Sequence, residues 1–235
     1  MLKPSDNLVD AIYSDLRLRL QRSAVSPSDR LVDTEIAASH GMSRMPAREA
    51  LLRLVAEGYL IGTTRGFAVR ELSPDDISGL FEVRRQLEPR AAASAARDMT
   101  PELEAELTGA MARIDQALGA GDIPALLAAN VDFRNAWLKA VRNPHMAATI
   151  SRFMDYFQSV RLGTFAEAAT AGQYIDGLSR IHGAFLARDP LMVQDRMMLF
   201  MFAAEEAYLS VRRRQLQEAE ATRSARRRIA RRGTA

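Results

Sequence analysis

Four polar helix-capping residues, each followed by proline, divide the chain after Leu72 and constrain its fold most strongly. The pairs are Ser73-Pro74, Thr100-Pro101, Asn143-Pro144 and Asp189-Pro190. The side-chain oxygen of a capping residue accepts a hydrogen bond from a free backbone N–H group of the first helical turn. Proline suits the first helical position because no N–H is needed there. The pairs therefore predict four helix starts.

The segments between these starts carry apolar residues at helical spacing, and Gly119-Ala120-Gly121-Asp122 adds another break. A spacing of three and four residues places apolar side chains on one face of a helix. The pattern predicts six helices, which cover residues 75–98, 101–118, 123–142, 145–162, 172–188 and 190–217. Antiparallel helices joined by short loops form a bundle, and a bundle can hold a ligand between facing helices.

The first 70 residues follow a different plan. An amphipathic helix is predicted over residues 7–22, with an apolar face formed by Leu8, Ile12, Leu16 and Leu20. Asp33-Thr34 is predicted to cap a short helix that ends at Gly41, because glycine readily adopts the left-handed conformation found at helix C-termini. Ser43 is predicted to cap a second helix, which tolerates Pro46 in its first turn.

The second helix has two different faces. Arg44 and Arg48 share an outer face near its N-terminus, and its apolar face is formed by Ala47, Ala50, Leu51 and Leu54. A short helix, a turn and a basic second helix predict a helix-turn-helix, whose second helix enters the major groove of DNA. The arginine fork matches O6 and N7 of guanine, or a phosphate. Two β-type runs joined by Thr63-Thr64-Arg65-Gly66 add a wing. The alternative is a small helical core with a solvated arginine pair.

Composition excludes several function classes. Cysteine is absent and there are only three histidines, which excludes disulfides, thiol catalysis and cysteine-bound zinc. No apolar run reaches about 18 residues, so no membrane-spanning segment is expected, and the chain is expected in the cytoplasm with the nucleoid. The net charge is +2 over residues 1–70, −6 over 71–210 and +7 over 211–235. Basic ends suggest contact with a polyanion, although the last segment can also be a solvated helix end.

Several motifs resemble one family. The sequences SRMPAREAL at 43–51, EGYL at 57–60 and RGFAV at 65–69 resemble the winged helix-turn-helix of GntR-family bacterial transcription regulators. VRRQLEP at 83–89 resembles the start of the all-helical FCD effector domain of the FadR subfamily, and six helices are closer to its VanR-type branch. The expected fold is mainly α, with a DNA-binding domain over 1–72, an effector-binding and dimerisation domain over 73–217, and a basic tail over 218–235.

The resemblance implies a homodimer that binds a two-fold symmetric operator in double-stranded DNA and acts as a repressor controlled by a small-molecule effector. The implied DNA-contacting residues are Ser43, Arg44, Pro46, Arg48, Thr64, Arg65 and Gly66. The arginines of the tail, at 212–214, 226–228 and 231–232, are expected to add non-specific affinity for DNA at most.

Many FCD domains resemble one another in a metal site made of one aspartate and three histidines. Phe133 and Ile181 fix the register of that pattern here, and the four ligand positions are occupied by Asn130, Arg134, Leu178 and Phe200. These side chains are poor ligands for Zn²⁺, Ni²⁺ or Mn²⁺, so neither a metal nor another cofactor is expected. Asp132 and His182 lie close to the register but supply too few ligands.

The lost metal suggests that a guanidinium holds the effector. Arg134 can bind a carboxylate through two charge-assisted hydrogen bonds, and its alternative role is a salt bridge to Asp132 or Glu88. The candidate effector-binding residues are Asn130, Arg134, Trp137, Arg161, Leu178 and Phe200, with Tyr156 and Tyr174 as weaker candidates.

Two other function classes are alternatives to a regulator. The sequence disfavours an enzyme, because it contains neither a nucleophile elbow nor a phosphate-binding glycine loop, and no pair of histidines at ligand spacing. The second alternative is an architectural protein that binds DNA without any effector. It would bind DNA without responding to small molecules.

Overall fold

A computed structural model describes residues 4–21, 24–26, 28–156 and 158–232. These residues form ten α-helices and one two-stranded sheet, in agreement with the expected mainly α fold. The elements are α1 (Pro4–Gln21), α2 (Asp33–Ser39), α3 (Arg44–Ala56), β1 (Leu60–Thr63), β2 (Gly66–Val69), α4 (Pro74–Arg97), α5 (Pro101–Ala120), α6 (Ile123–Lys139), α7 (Pro144–Tyr156), α8 (Gln158–Ala166), α9 (Ala168–Leu186) and α10 (Pro190–Arg232).

The N-terminal domain, α1 to β2, is a winged helix-turn-helix. Strands β1 and β2 pair antiparallel, and Leu31 exchanges two backbone hydrogen bonds with Phe67 at 2.8 and 2.9 Å. The predicted apolar faces of α1 and α3 meet in its core, where the fully buried residues are Ile12, Leu16, Ala47, Ala50, Leu51 and Leu54. Leu8 was predicted on this face but is exposed, because the buried face of α1 begins one turn later at Ile12.

The turn between α2 and α3 corrects one predicted cap. Val32, not Asp33, is the N-cap of α2, and Asp33 is the first helical residue. Its carboxylate is used by Arg44 instead of by a cap. Gly41 has a φ of 62° and follows the end of α2, as predicted. Ser43 precedes α3 as its N-cap, but its side chain makes no capping hydrogen bond.

The four predicted helix starts of the C-terminal domain, α4 to α10, are confirmed. Ser73 forms a full capping box with Asp76 at the start of α4, and the Thr100 hydroxyl accepts the Leu103 N–H at 3.2 Å. The side-chain oxygens of Asn143 and Asp189 each accept two backbone N–H groups, at the starts of α7 and α10. Local capping therefore fixes these boundaries.

The extent of three helices differs from the sequence prediction. Helix α8 runs to Ala166 and α9 begins at Ala168, although residues 163–171 were expected outside helices. A Cβ atom at Gly163 would lie 2.7 Å from a side-chain carbon of Val211, so the glycine lets α8 pack closely on α10, and this packing outweighs its weak helix propensity. Phe157, between α7 and α8, lies outside the described residues, so the predicted 145–162 helix is described in two parts.

Helix α10 continues to Arg232, so the predicted basic tail has a helical backbone. The side chains of Arg226–Arg228 and Arg231–Arg232 lie outside the described residues. Helices α4 and α10 pack extensively against each other. Arg212 donates to the Leu72 carbonyl at 2.7 Å, which holds the interdomain linker against α10. In the described part of the chain, no helix has both the length and the hydropathy needed to cross a bilayer.

Candidate DNA-binding surface and ligand cavity

The N-terminal end of α3 presents two arginines on the protein surface. The side chains of Arg44 and Arg48 are 67% and 59% exposed, while Ala47, between them in sequence, is fully buried. The helix is therefore anchored by one face and exposes a basic face, the geometry in which a second helix of a helix-turn-helix reads the major groove.

Asp33 orients both arginines and was not recognised as a site residue from sequence. Its buried carboxylate accepts two hydrogen bonds from Nη2 of Arg44, at 3.1 and 3.3 Å, and lies 3.6 Å from Nη1 of Arg48. The hydrogen bond from Arg44 holds the pKa of the Asp33 carboxyl below its ordinary value, against the opposing effect of desolvation. The only available sequence signal was an acid eleven residues before Arg44, which also fits a helix cap.

Two of the residues predicted to contact DNA also have a clear role in the fold. Pro46 is buried in the first turn of α3 and faces the core. Gly66 has a φ of 112°, and a Cβ atom there would lie 2.5 Å from the Leu31 carbonyl oxygen. Since only glycine fits this conformation and this approach, Gly66 shapes the wing from its inner side. Thr64 and Arg65 are exposed at the tip of the wing. Ser43 is exposed beside Arg44.

An enclosed cavity in the C-terminal domain brings the predicted effector-binding residues together. Its free space is about 20 Å³, roughly the room of one water molecule. All six predicted residues line it, and the complete lining is Arg84, Glu88, Asn130, Phe133, Arg134, Trp137, Arg161, Tyr174, Leu178, Met197 and Phe200. The six come from α6, α8, α9 and α10, so residues far apart in sequence converge on one point.

Three guanidinium groups and one carboxylate line this cavity among the described residues. Arg84 forms a buried ion pair with Glu88 one helical turn away on α4. Arg161 donates from Nε to the Tyr208 hydroxyl at 3.0 Å, and Arg134 donates from Nε to the Asn135 side chain at 3.3 Å. All three arginines are buried, so a bound anion would face little competition from solvent.

Both acids considered as partners of Arg134 have an arginine partner of their own. Asp132 pairs with Arg113 at 3.0 Å on the protein surface, and Glu88 pairs with Arg84. Arg84 and Glu88 were not among the effector candidates. Their spacing of four residues on α4 was nevertheless a sequence signal for an ion pair.

Aromatic and apolar groups form the rest of the wall. The rings of Tyr174 and Phe200 meet edge to face with centroids 4.8 Å apart, and a Cβ atom at Gly177 would lie 2.6 Å from the Phe200 ring. Burial and the neighbouring Tyr208 raise the pKa of Tyr174 above its ordinary value, so its hydroxyl stays a neutral donor. Tyr156, a weaker sequence candidate, lies outside the cavity and contacts the N-terminal domain.

The residues at the family's four metal-ligand positions also line this cavity. Their side chains end in an amide, a guanidinium, an isobutyl and a phenyl group. Among the side chains that the structure describes, no three His, Asp or Glu residues form a group that could hold a metal ion. His182 lies next to this region, where it makes a hydrogen bond of 3.1 Å with Thr108. Burial lowers the pKa of His182, which favours the neutral form of its ring.

Comparison with known proteins finds a family match for each of the two domains. Residues 8–69 match the bacterial regulatory proteins of the gntR family, and residues 79–201 match the FCD domain. The chain is 34% identical over 126 residues to the HTH-type transcriptional regulator McbR of Escherichia coli (strain K12), and the match covers 53% of this chain and 57% of McbR. It is 32% identical over 148 residues to the Nta operon transcriptional regulator of Aminobacter aminovorans, with 58% and 69% of the two chains covered. This chain thus spans little more than half the length of McbR in the sequence match.

Two solved structures share the fold. The structure of E. coli McbR superposes with a TM-score of 0.78 at 25% identity, over 89% of this chain and 99% of McbR. A GntR transcriptional regulator from Rhodococcus sp. RHA1 gives a TM-score of 0.71 at 19% identity, over 86% and 97% of the two chains. The first match extends over both domains.

A winged helix-turn-helix joined to a helical domain with an internal cavity defines a class of two-domain regulators. The chain belongs to the GntR family of bacterial regulatory proteins and carries an FCD domain. The family and the named relatives are transcription regulators and not enzymes.

Proposed function

We propose that this protein is a homodimeric repressor that binds a two-fold symmetric DNA operator and responds to a small carboxylate effector. The observation that carries the proposal is the exposed pair Arg44 and Arg48 at the N-terminus of α3, oriented by Asp33. In this arrangement α3 enters the major groove and the arginines reach guanine edges or phosphates. Arg65 at the tip of the wing lies where it can reach the adjacent backbone.

A second copy of the chain supplies the second half-site contact. Two recognition helices about 34 Å apart match successive major grooves on one side of the duplex. Helix α10 exposes Leu191, Leu199 and Phe202, which are 76%, 54% and 55% exposed. Exposed Asp195 lies on the same stretch, and Arg90 and Arg97 of α4 line an adjacent groove. A two-fold related copy can cover the apolar residues and pair these opposite charges.

The cavity supports a carboxylate as the effector class. Arg134 and Arg161 are buried donors that can form charge-assisted hydrogen bonds with it, and Asn130 adds an amide. Leu178, Phe200 and the other rings suit an apolar body. Because the free space is only about 20 Å³, binding requires side chains such as Phe200 to move. Ligand binding and a change of conformation are therefore linked.

The DNA part of the proposal is tested with the full chain and a pool of random duplexes. We expect the selected operator to be a two-fold symmetric sequence. Arg48→Ala should weaken operator binding by about 1–3 kcal/mol and relax base preference at one position of each half-site. Arg180→Ala, which alters an exposed arginine of α9, is the matched control. Full affinity and selectivity of Arg48→Ala would refute this DNA-binding mode.

The effector part is tested through Trp137, the single tryptophan of the chain, which lines the cavity. Titration with acetate, succinate, citrate and benzoate should reveal a saturable change of its fluorescence for one class of carboxylate, together with weaker operator binding. Arg134→Leu should remove the response, whereas Arg113→Leu should keep it. Operator binding that is insensitive to all four probes would favour the architectural protein without an effector.

A further inference from the structure

Tyr156, at the end of α7, contacts the C-terminal end of the recognition helix. Its hydroxyl donates a hydrogen bond to the carbonyl of Glu57, the C-cap residue of α3. Its ring lies 5.3 Å from the ring of Tyr59. The side chain packs against both hydrophobic cores, that of the N-terminal domain and that of the C-terminal domain. Tyr156 thus connects the C-terminal domain with the helix that carries Arg44 and Arg48.

A glycine of the N-terminal domain leaves room for the Tyr156 ring. Gly58 has a φ of 84°, and a Cβ atom there would lie 3.0 Å from the Tyr156 hydroxyl. The absence of a side chain therefore lets the ring approach the backbone at the end of α3. Arg17 of α1 adds a second contact to α7, a hydrogen bond of 3.0 Å to Ser151. The two contacts fix α7 against both α1 and α3.

The same stretch of chain reaches the ligand cavity. Arg161, five residues after Tyr156, lines the cavity and donates to Tyr208 of α10. Two residues close in sequence therefore lie at different sites: Arg161 in the cavity wall and Tyr156 at the end of the recognition helix.

We propose that Tyr156 is a positioning residue that holds the recognition helix against the C-terminal domain and transmits changes at Arg161 to it. This rests on the proposed role of α3 in DNA binding. The docked arrangement is one of two states of the N-terminal domain, and events at the cavity change the balance between them. Loss of the Tyr156 contact leaves both domains folded but weakens the docking of α3 on α7.

Docking is measured directly with spin labels, in the absence of DNA and of any ligand. The chain contains no cysteine, so Glu49→Cys on α3 and Arg180→Cys on α9 introduce the only labelling sites, and an excess of unlabelled chain removes signals between copies. We expect one narrow distance distribution in the parent and a broad one in Tyr156→Ala. Tyr13→Phe is the matched control, because it removes a tyrosine hydroxyl that also bonds Glu57, but within the N-terminal domain. An unchanged distribution in Tyr156→Ala would overturn the proposal.

Transmission is measured with a double-mutant cycle on operator affinity. Arg161→Met perturbs the cavity, and we expect it to change operator affinity at least threefold in the parent but not in Tyr156→Phe, which keeps the ring and loses the hydrogen bond. Additive effects of the two substitutions would refute the link. If Arg161→Met does not fold, Tyr208→Phe removes the acceptor of Arg161 instead. Failure of the parent to bind DNA would refute the proposed function, but it would not alter the label distances.

Discussion

The carboxylate of Asp33 accepts two hydrogen bonds from the guanidinium of Arg44, at 3.1 and 3.3 Å. Asp33 begins α2 and Arg44 begins α3, so this contact spans the turn of the helix-turn-helix. A phosphate or guanine that approaches α3 must compete with Asp33 for the arginine. We therefore expect the acid to lower the general attraction for DNA, while its contacts restrict the directions in which Arg44 and Arg48 point.

Asp33→Asn should strengthen binding to unrelated DNA and reduce the preference for the operator. Asparagine keeps the shape of the side chain but removes the charge that orients both arginines. Gel shifts at several salt concentrations measure the ratio of the affinity for operator to the affinity for scrambled duplexes. A ratio equal to that of the parent would show that the arginines are oriented by DNA alone. Asp29→Asn, in the loop before α2, is the control.

Arg65→Ala should weaken binding to operator and scrambled DNA alike. Arg65 is exposed at the tip of the wing, and a phosphate contact carries charge but no sequence information. The slope of log affinity against log salt should fall by about one unit. Arg180→Ala serves again as an exposed arginine far from the wing. An unchanged slope would mean that the tip does not touch the backbone.

Gly66→Ala should destabilise the wing, whereas Gly62→Ala on the opposite strand should be tolerated. A Cβ atom at Gly66 meets the Leu31 carbonyl at 2.5 Å with φ at 112°, while one at Gly62 meets nothing within 4 Å. Strain of this kind costs about 1–3 kcal/mol. Urea unfolding of both variants tests the difference, and equal stabilities would show that the hairpin relaxes without cost.

Leu178→Ala should lower the free energy of unfolding by about 2–5 kcal/mol, because it removes a buried side chain and enlarges the cavity. Leu186→Ala, on the same helix but at a half-exposed position, should change stability by less than about 0.5 kcal/mol. Equilibrium denaturation followed by circular dichroism gives both values. A small loss for Leu178→Ala would indicate that the bundle collapses around the site.

Removal of residues 218–235 should weaken DNA binding at low salt and leave operator preference unchanged. Residues 218–235 contain six arginines and two glutamates, a net charge of +4, and such charge attracts DNA without reading its sequence. Affinities for operator and scrambled duplexes at 50 and 200 mM salt test this. Unfolding of the truncated chain would show instead that this end of α10 packs as part of the protein.

The sequence by itself determined the helix starts, the apolar faces of α1 and α3, and the two-domain plan. Caps at Ser73, Thr100, Asn143 and Asp189 act within one helical turn, so their effect is visible in a few neighbouring residues. The family pattern also assigned four positions to one site from the sequence alone. These positions are occupied by Asn130, Arg134, Leu178 and Phe200.

Only the tertiary structure decided what these residues contact. It showed that Asp33 is the partner of Arg44 and not a cap, that Gly66 lies close to the Leu31 carbonyl, and that Tyr156 contacts the end of α3 and not the cavity. It also joined residues 163–171 to helices that pack on α10. Each of these outcomes depends on distances between elements far apart in the chain, and periodicity and capping signals carry no information about such distances.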